Sequence, residues 1–268
     1  MGGVDLTALE LTTLAVEVAE GVATVTLDRP EVHNAFDPVM TDELARVWQA
    51  LRSAQEVGAV VVTGRGDKAF CTGLDRSSVE AFAFDPFTYE DPGRLLGPKS
   101  QELWKPVIAA VNGMACGGAF YILAEADVIL AAEHATFFDP HVTYGMTAAF
   151  EPILLLRRMP FGDVLRMALA GNHERVSAAT AERMGLVSEV TAAAELLPAA
   201  TRLARIFASQ PAHAIQATLR TLWAARDLPI SQATALGNVF LQLGTSIDAL
   251  EEGQAAFQSG ERPKPRIR

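Results

Sequence analysis

Val107–Ala124 carries no charged residue, and this run limits what the chain can become more than any other stretch does. It is long enough to raise the question of a membrane span. Asn112, Gly113, Gly117 and Gly118 interrupt it, however, and Glu125 and Asp127 follow at once. A strand, a turn and the start of a helix account for such a pattern better than a bilayer does. The run therefore reads as a strand over Val107–Val111, a glycine turn and a helix over Ala119–Ala126, with another strand over Val128–Ala131.

The same alternation precedes it. Leu14–Val18 and Val22–Leu27 are β-rich runs separated by Glu20-Gly21, which reads as a hairpin. Asp37-Pro38 supplies an N-cap and a first-turn proline. Met40, Leu44, Val47, Trp48 and Leu51 then fall on one helical face. Ala59–Thr63 is a compact buried strand ended by Gly64 and Gly66. Ser177–Met184 reads as a helix closed by Gly185, with Leu186–Val190 extended after it. Beyond about Thr201 the strand signals stop, and helical segments over Thr201–Ser209, Ala212–Ala225 and Ser231–Gln258 fill the rest. The class is α/β with a helical C-terminal portion.

The 268 residues suffice for one sizeable core. A formal charge of −10 argues against nucleic acid or an anionic membrane as the main partner. Cys71 and Cys116 read as reduced, buried thiols of a cytoplasmic protein. The first ten residues lack the basic start of a signal peptide, and Leu6 stands where myristoylation wants Ser or Thr. No grouping of His, Cys and carboxylates has metal-ligand spacing, so no metal is expected. Neither a phosphate-cradling G-x-x-x-x-G-K-(S/T) loop nor a G-x-S-x-G nucleophile elbow is present. Ser77–Gln101 is the least regular stretch; its Phe82, Phe84 and Phe87 suit either a functional loop or a satellite apolar cluster.

Three segments together resemble the crotonase, or enoyl-CoA hydratase/isomerase, superfamily. They are Leu27-Asp28-Arg29-Pro30 leading to Asn34-Ala35-Phe36, then Ala69-Phe70-Cys71-Thr72-Gly73-Leu74-Asp75, and Lys105-Pro106-Val107 through Gly117-Gly118-Ala119. The likeness continues through Arg175-Val176-Ser177 to Glu252–Phe257 and covers nearly the whole chain. It implies a core of repeated ββα units over residues 1–200 and a helical trimerisation region over 201–268, in trimers or hexamers. It also implies an acyl-CoA substrate with no cofactor beyond that CoA. By the same likeness the Leu74 and Gly118 N–H groups face the thioester oxygen. CoA is expected along Arg29, Val32, Thr72 and Asp75, with Phe257 near it. Two backbone donors aimed at a developing oxyanion are the largest help a protein gives such chemistry.

The sequence departs from the family at its acids. Hydratases carry two glutamates; Tyr121 and His141 stand at the matching places here. A phenol is a poor base near neutral pH, whereas an imidazole is a good one. Glu151 lies just past the place where isomerases of the superfamily carry an acid, and a small shift would bring it into the cleft. Asp139 can share a face with His141 only if the segment is extended. The expectation is an acyl-CoA lyase or isomerase that stabilises an enolate or oxyanion without two-glutamate hydration, with His141 handling the proton or water. Its alternatives are a C–C bond hydrolase of the same superfamily and a non-catalytic acyl-CoA binder. The Phe82–Phe87 loop suggests a bulky or ring-bearing acyl group.

Overall fold

A computed structural model describes residues 9–81, 91, 93–260 and 264–267, side chains at 79–81, 252 and 256 excepted. The Phe82–Phe87 loop, Leu6 and Arg262 lie outside the described residues. The chain forms two compact units, Met1–Ser209 and Gln210–Arg268.

In the first unit the strands are β1 (Leu14–Ala19), β2 (Val22–Leu27), β3 (Ala59–Gly64), β4 (Ala69–Cys71), β5 (Val107–Val111), β6 (Met114–Cys116), β7 (Val128–Ala132), β8 (Thr136–Phe138), β9 (Val176–Ser177) and β10 (Glu189–Thr191). The helices are α1 (Pro38–Ser53), α2 (Ala119–Glu125), α3 (Phe150–Leu155), α4 (Phe161–Ala170), α5 (Ala178–Arg183) and α6 (Leu196–Ala208). One sheet has the order β1-β2-β3-β5-β7-β10 and the other β4-β6-β8-β9. The β1–β2 hairpin and the β8–β9 pair are antiparallel, and every other pairing is parallel. From β3 to β8 each successive pair of strands lays one on each sheet, in keeping with the ββα repeat that the resemblance implies.

Strand periodicity explains why the apolar runs are unbroken. Ala23, Val25, Val60, Val62, Val107, Ala109 and Ile129 join Leu44, Val47 and Trp48 of α1 in one core. Their alternate neighbours Val22, Ala59, Val61, Ile108, Ala110 and Leu130 pack with Leu196, Ala199, Ala200 and Ala204 of α6. Both faces of the sheet are covered, so neither face needs polar residues. At the start of α1, Asp37 accepts from Met40 N at 2.8 Å, as an N-cap does. The uncharged run resolves into β5, β6 and α2, and no helix among the described residues is long and apolar enough to cross a membrane.

Two helix boundaries differ from the sequence reading. α6 starts at Leu196 rather than Thr201 and belongs to the first unit, so the units part at Ser209–Gln210. The second unit holds α7 (Ala212–Asp227), α8 (Ile230–Gly244) and α9 (Ile247–Ser259). The single helix expected over Ser231–Gln258 is thus two, because Thr245 is extended and Ser246 caps α9 by accepting from Ala249 N at 3.1 Å.

Candidate active site

The two candidate donors follow neighbouring strands of the smaller sheet, Leu74 after β4 and Gly118 after β6. Past β4, Leu74 forms a lone parallel bridge with Phe36. Phe36 N donates to Gly73 O at 2.9 Å, and Asp75 N donates to Phe36 O at 2.8 Å. Amide directions alternate along an extended chain, so the Leu74 N–H is turned away from Phe36. Gly73 has φ +83°, and a Cβ there would stand 2.9 Å from Gly118 N. A side chain would therefore be both strained and obstructed. Gly118 precedes the first turn of α2, whose leading N–H groups lack intrahelical acceptors. Among the described residues neither the Leu74 N–H nor the Gly118 N–H donates a hydrogen bond. Both residues line a cleft of about 1290 Å³.

Acid–base groups line the same cleft. After β8 the chain turns at Pro140 (φ −86°, ψ −7°) rather than running on extended. This corrects the condition set for Asp139. Through the turn, Asp139 Oδ1 accepts from His141 N at 3.0 Å and meets Nδ1 at 2.5 Å. Its other oxygen is buried with no partner among the described residues. With Nδ1 committed to the carboxylate, Nε2 is the working nitrogen, and it lies 3.6 Å from Glu151 Oε1. Glu151 is buried in the first turn of α3. The Asp139 hydrogen bond raises the His141 pKa against the opposing effect of burial. Burial raises that of Glu151, while His141 pulls it down. The arrangement is an imidazole backed by one carboxylate and facing another, able to move a proton in either direction.

Tyr121 lines the cleft but does not join this group. Its hydroxyl donates to Asp91 Oδ1 at 2.8 Å. Asp91 lies inside the irregular Ser77–Gln101 stretch, where no periodicity marks a residue for function, and the sequence reading does not single it out. Also missed were Arg76, whose guanidinium lies 3.6 Å from the Tyr144 ring centroid, and Arg175, 4.5 Å from that of Phe138. All four residues line the cleft.

Of the residues expected along CoA, Val32, Thr72 and Asp75 line the cleft with the backbone donors. Arg29 acts as a local clamp, donating to Ala35 O at 2.6 Å and meeting Asp75 and Asp37 carboxylates at 3.0 and 3.2 Å. Phe257 lies on α9 in the second unit with its side chain exposed. Cys71 and Cys116 are free thiols, both pushed up to about 12 chiefly by burial, so neither offers a thiolate near neutral pH.

The sequence profile described as enoyl-CoA hydratase/isomerase matches residues 17–266. The chain is 33% identical over 257 residues to the (E)-benzylidenesuccinyl-CoA hydratase of Thauera aromatica, covering 95% of this chain and 98% of that protein. It is 31% identical over 251 residues to the carnitinyl-CoA dehydratase of Proteus mirabilis (strain HI4320), covering 91% and 94%. Among solved structures, an enoyl-CoA hydratase/isomerase from Mycobacterium paratuberculosis superposes with a TM-score of 0.85 at 35% identity, over 96% of this chain and 99% of that one.

Proposed function

The chain belongs to the enoyl-CoA hydratase/isomerase family, and from that premise we propose that it adds water reversibly across the α,β double bond of an acyl-CoA thioester. The observation that carries this reading is the facing pair of His141 Nε2 and Glu151 Oε1, 3.6 Å apart in the cleft that Leu74 and Gly118 also line. Hydration needs one group to take a proton from water and another to give one to carbon. This pair can do both without the two glutamates.

In the proposed sequence the water oxygen bonds to the β carbon while Glu151 takes one of its protons. The electrons of the double bond move onto the thioester oxygen, giving an enolate held by the Leu74 and Gly118 N–H groups. The enolate collapses, and its α carbon takes the proton of the His141 imidazolium, whose charge Asp139 supports. A proton passing from Glu151 back to Nε2 restores the starting state, and the sum is one water added. A ring-bearing acyl group suits the aromatic lining from Phe36, Phe138, Tyr144 and Phe150. The relative named for a benzylidenesuccinyl thioester supports the same choice.

The test is turnover of aryl- and alkyl-substituted enoyl-CoA thioesters by purified protein. Glu151→Gln and His141→Ala should each lower kcat by about 100-fold or more. Acyl-CoA binding with no turnover of any enoyl thioester would overturn the reading in favour of a binding protein.

A further inference from the structure

Tyr121 stands on α2 one helical turn past Gly118, and its hydroxyl is used to hold a carboxylate from elsewhere. Asp91 Oδ1 accepts from that hydroxyl at 2.8 Å and from Gly93 N at 3.0 Å. Gly93 lies so close against the phenol ring that any Cβ would overlap it, so the chain approaches Tyr121 at that point only because Gly93 lacks a side chain. Both donors meet the same oxygen. Among the described residues none donates to Oδ2 of Asp91, while Asp91 lines the cleft with His141 and Glu151. Asp91 also contributes to the upward pressure on the Glu151 carboxyl, after burial and Asp139.

A water molecule attacking carbon has two hydrogens to place. Glu151 accounts for one, and a second fixed acceptor would orient the oxygen lone pair. We propose that Asp91 is a catalytic residue whose Oδ2 accepts a hydrogen bond from the attacking water, and that Tyr121 is the positioning residue that aims it. The inference rests on the hydration reading. The hydrogen bonded to Asp91 stays on oxygen and becomes that of the product hydroxyl, while the other passes to Glu151 as the C–O bond forms.

Asp91→Asn separates this role from a structural one. The amide keeps an oxygen for Tyr121 and Gly93 but puts an NH₂ donor where Oδ2 stood, so those two hydrogen bonds are held and the acceptor is lost. Its kcat should fall about 100-fold with KM changed less than about threefold, and its Tm should match that of the unaltered protein. Tyr121→Phe should lose about tenfold in kcat, and the double variant should fall no more than about twofold below Asp91→Asn, because the two act as a unit. An Asp91→Asn protein with unaltered kcat, beside an inactive Glu151→Gln, would overturn the inference and leave hydration standing. So would a Tyr121→Phe protein that loses only Tm and KM. An unaltered protein that hydrates no enoyl thioester would remove both.

Discussion

A carboxylate 2.5 Å from Nδ1 makes the His141 imidazole easier to protonate, and Glu151 across from Nε2 adds to that tendency while burial resists it. In the proposed cycle His141 must start protonated and Glu151 ionised. The rate should therefore rise with pH through the raised Glu151 value and fall through the raised His141 value. Asp139→Asn removes the largest support for the imidazolium, so the alkaline limb of kcat/KM should move down towards 6.5. An alkaline limb that stayed in place would assign it to another group. Linkage gives the matching stability effect. The raised His141 pKa stabilises the fold fully below about 6.5, and that stability is lost as pH climbs through the raised value. At this scale the sequence was legible as to place: the family likeness picks out His141, Glu151, Leu74 and Gly118, and all four line the cleft. It was not legible where a turn did the work. Asp139 reaches His141 around Pro140, and Asp91 reaches Tyr121 from a stretch without periodicity. Spacing rules for strands and helices do not foresee either pairing.

Elements with a long repeat could be read almost to the residue. α1 begins at Pro38 behind the Asp37 cap, and its Met40, Leu44, Val47, Trp48 and Leu51 are all fully buried. Trp48 is the largest of these and also donates from Nε1 to Leu96 O at 2.9 Å. Trp48→Ala should cost about 3–5 kcal/mol in urea unfolding from the cavity and the stranded carbonyl. A loss below about 1 kcal/mol would mean the site collapses around the smaller residue. The smaller sheet was harder to see, since β4, β6, β8 and β9 hold two or three residues each and no alternation can be counted over so few. Pro198, in the first turn of α6, masks the start of that helix. Apolar spacing on both sides of Thr245-Ser246 hides the break between α8 and α9.

Across the first unit, a few enclosed polar contacts fasten the irregular chain before β5 to the regular elements. Lys99 Nζ meets Asp127 Oδ2 at 2.8 Å and donates to Leu103 O and Lys105 O, and both charged side chains are under 10% exposed. Ser100 N donates to Glu125 at 2.7 Å. Lys99→Met deprives Asp127 of its cation inside the protein and should cost about 3–5 kcal/mol, read as a shift in urea midpoint. A shift near zero would mean that Asp127 finds water or a proton instead. The α/β class was legible at this scale because strand-like and helical runs alternate along the chain, whereas the ββα repeat came only from the family likeness. The strand order has one more consequence. In both sheets the strands lie side by side in the order in which the chain presents them. As the polypeptide leaves the ribosome, each new strand meets an edge that is already formed and need not pry apart an earlier pair. Assembly can thus run in one direction from the β1–β2 hairpin, each strand adding to an edge already made.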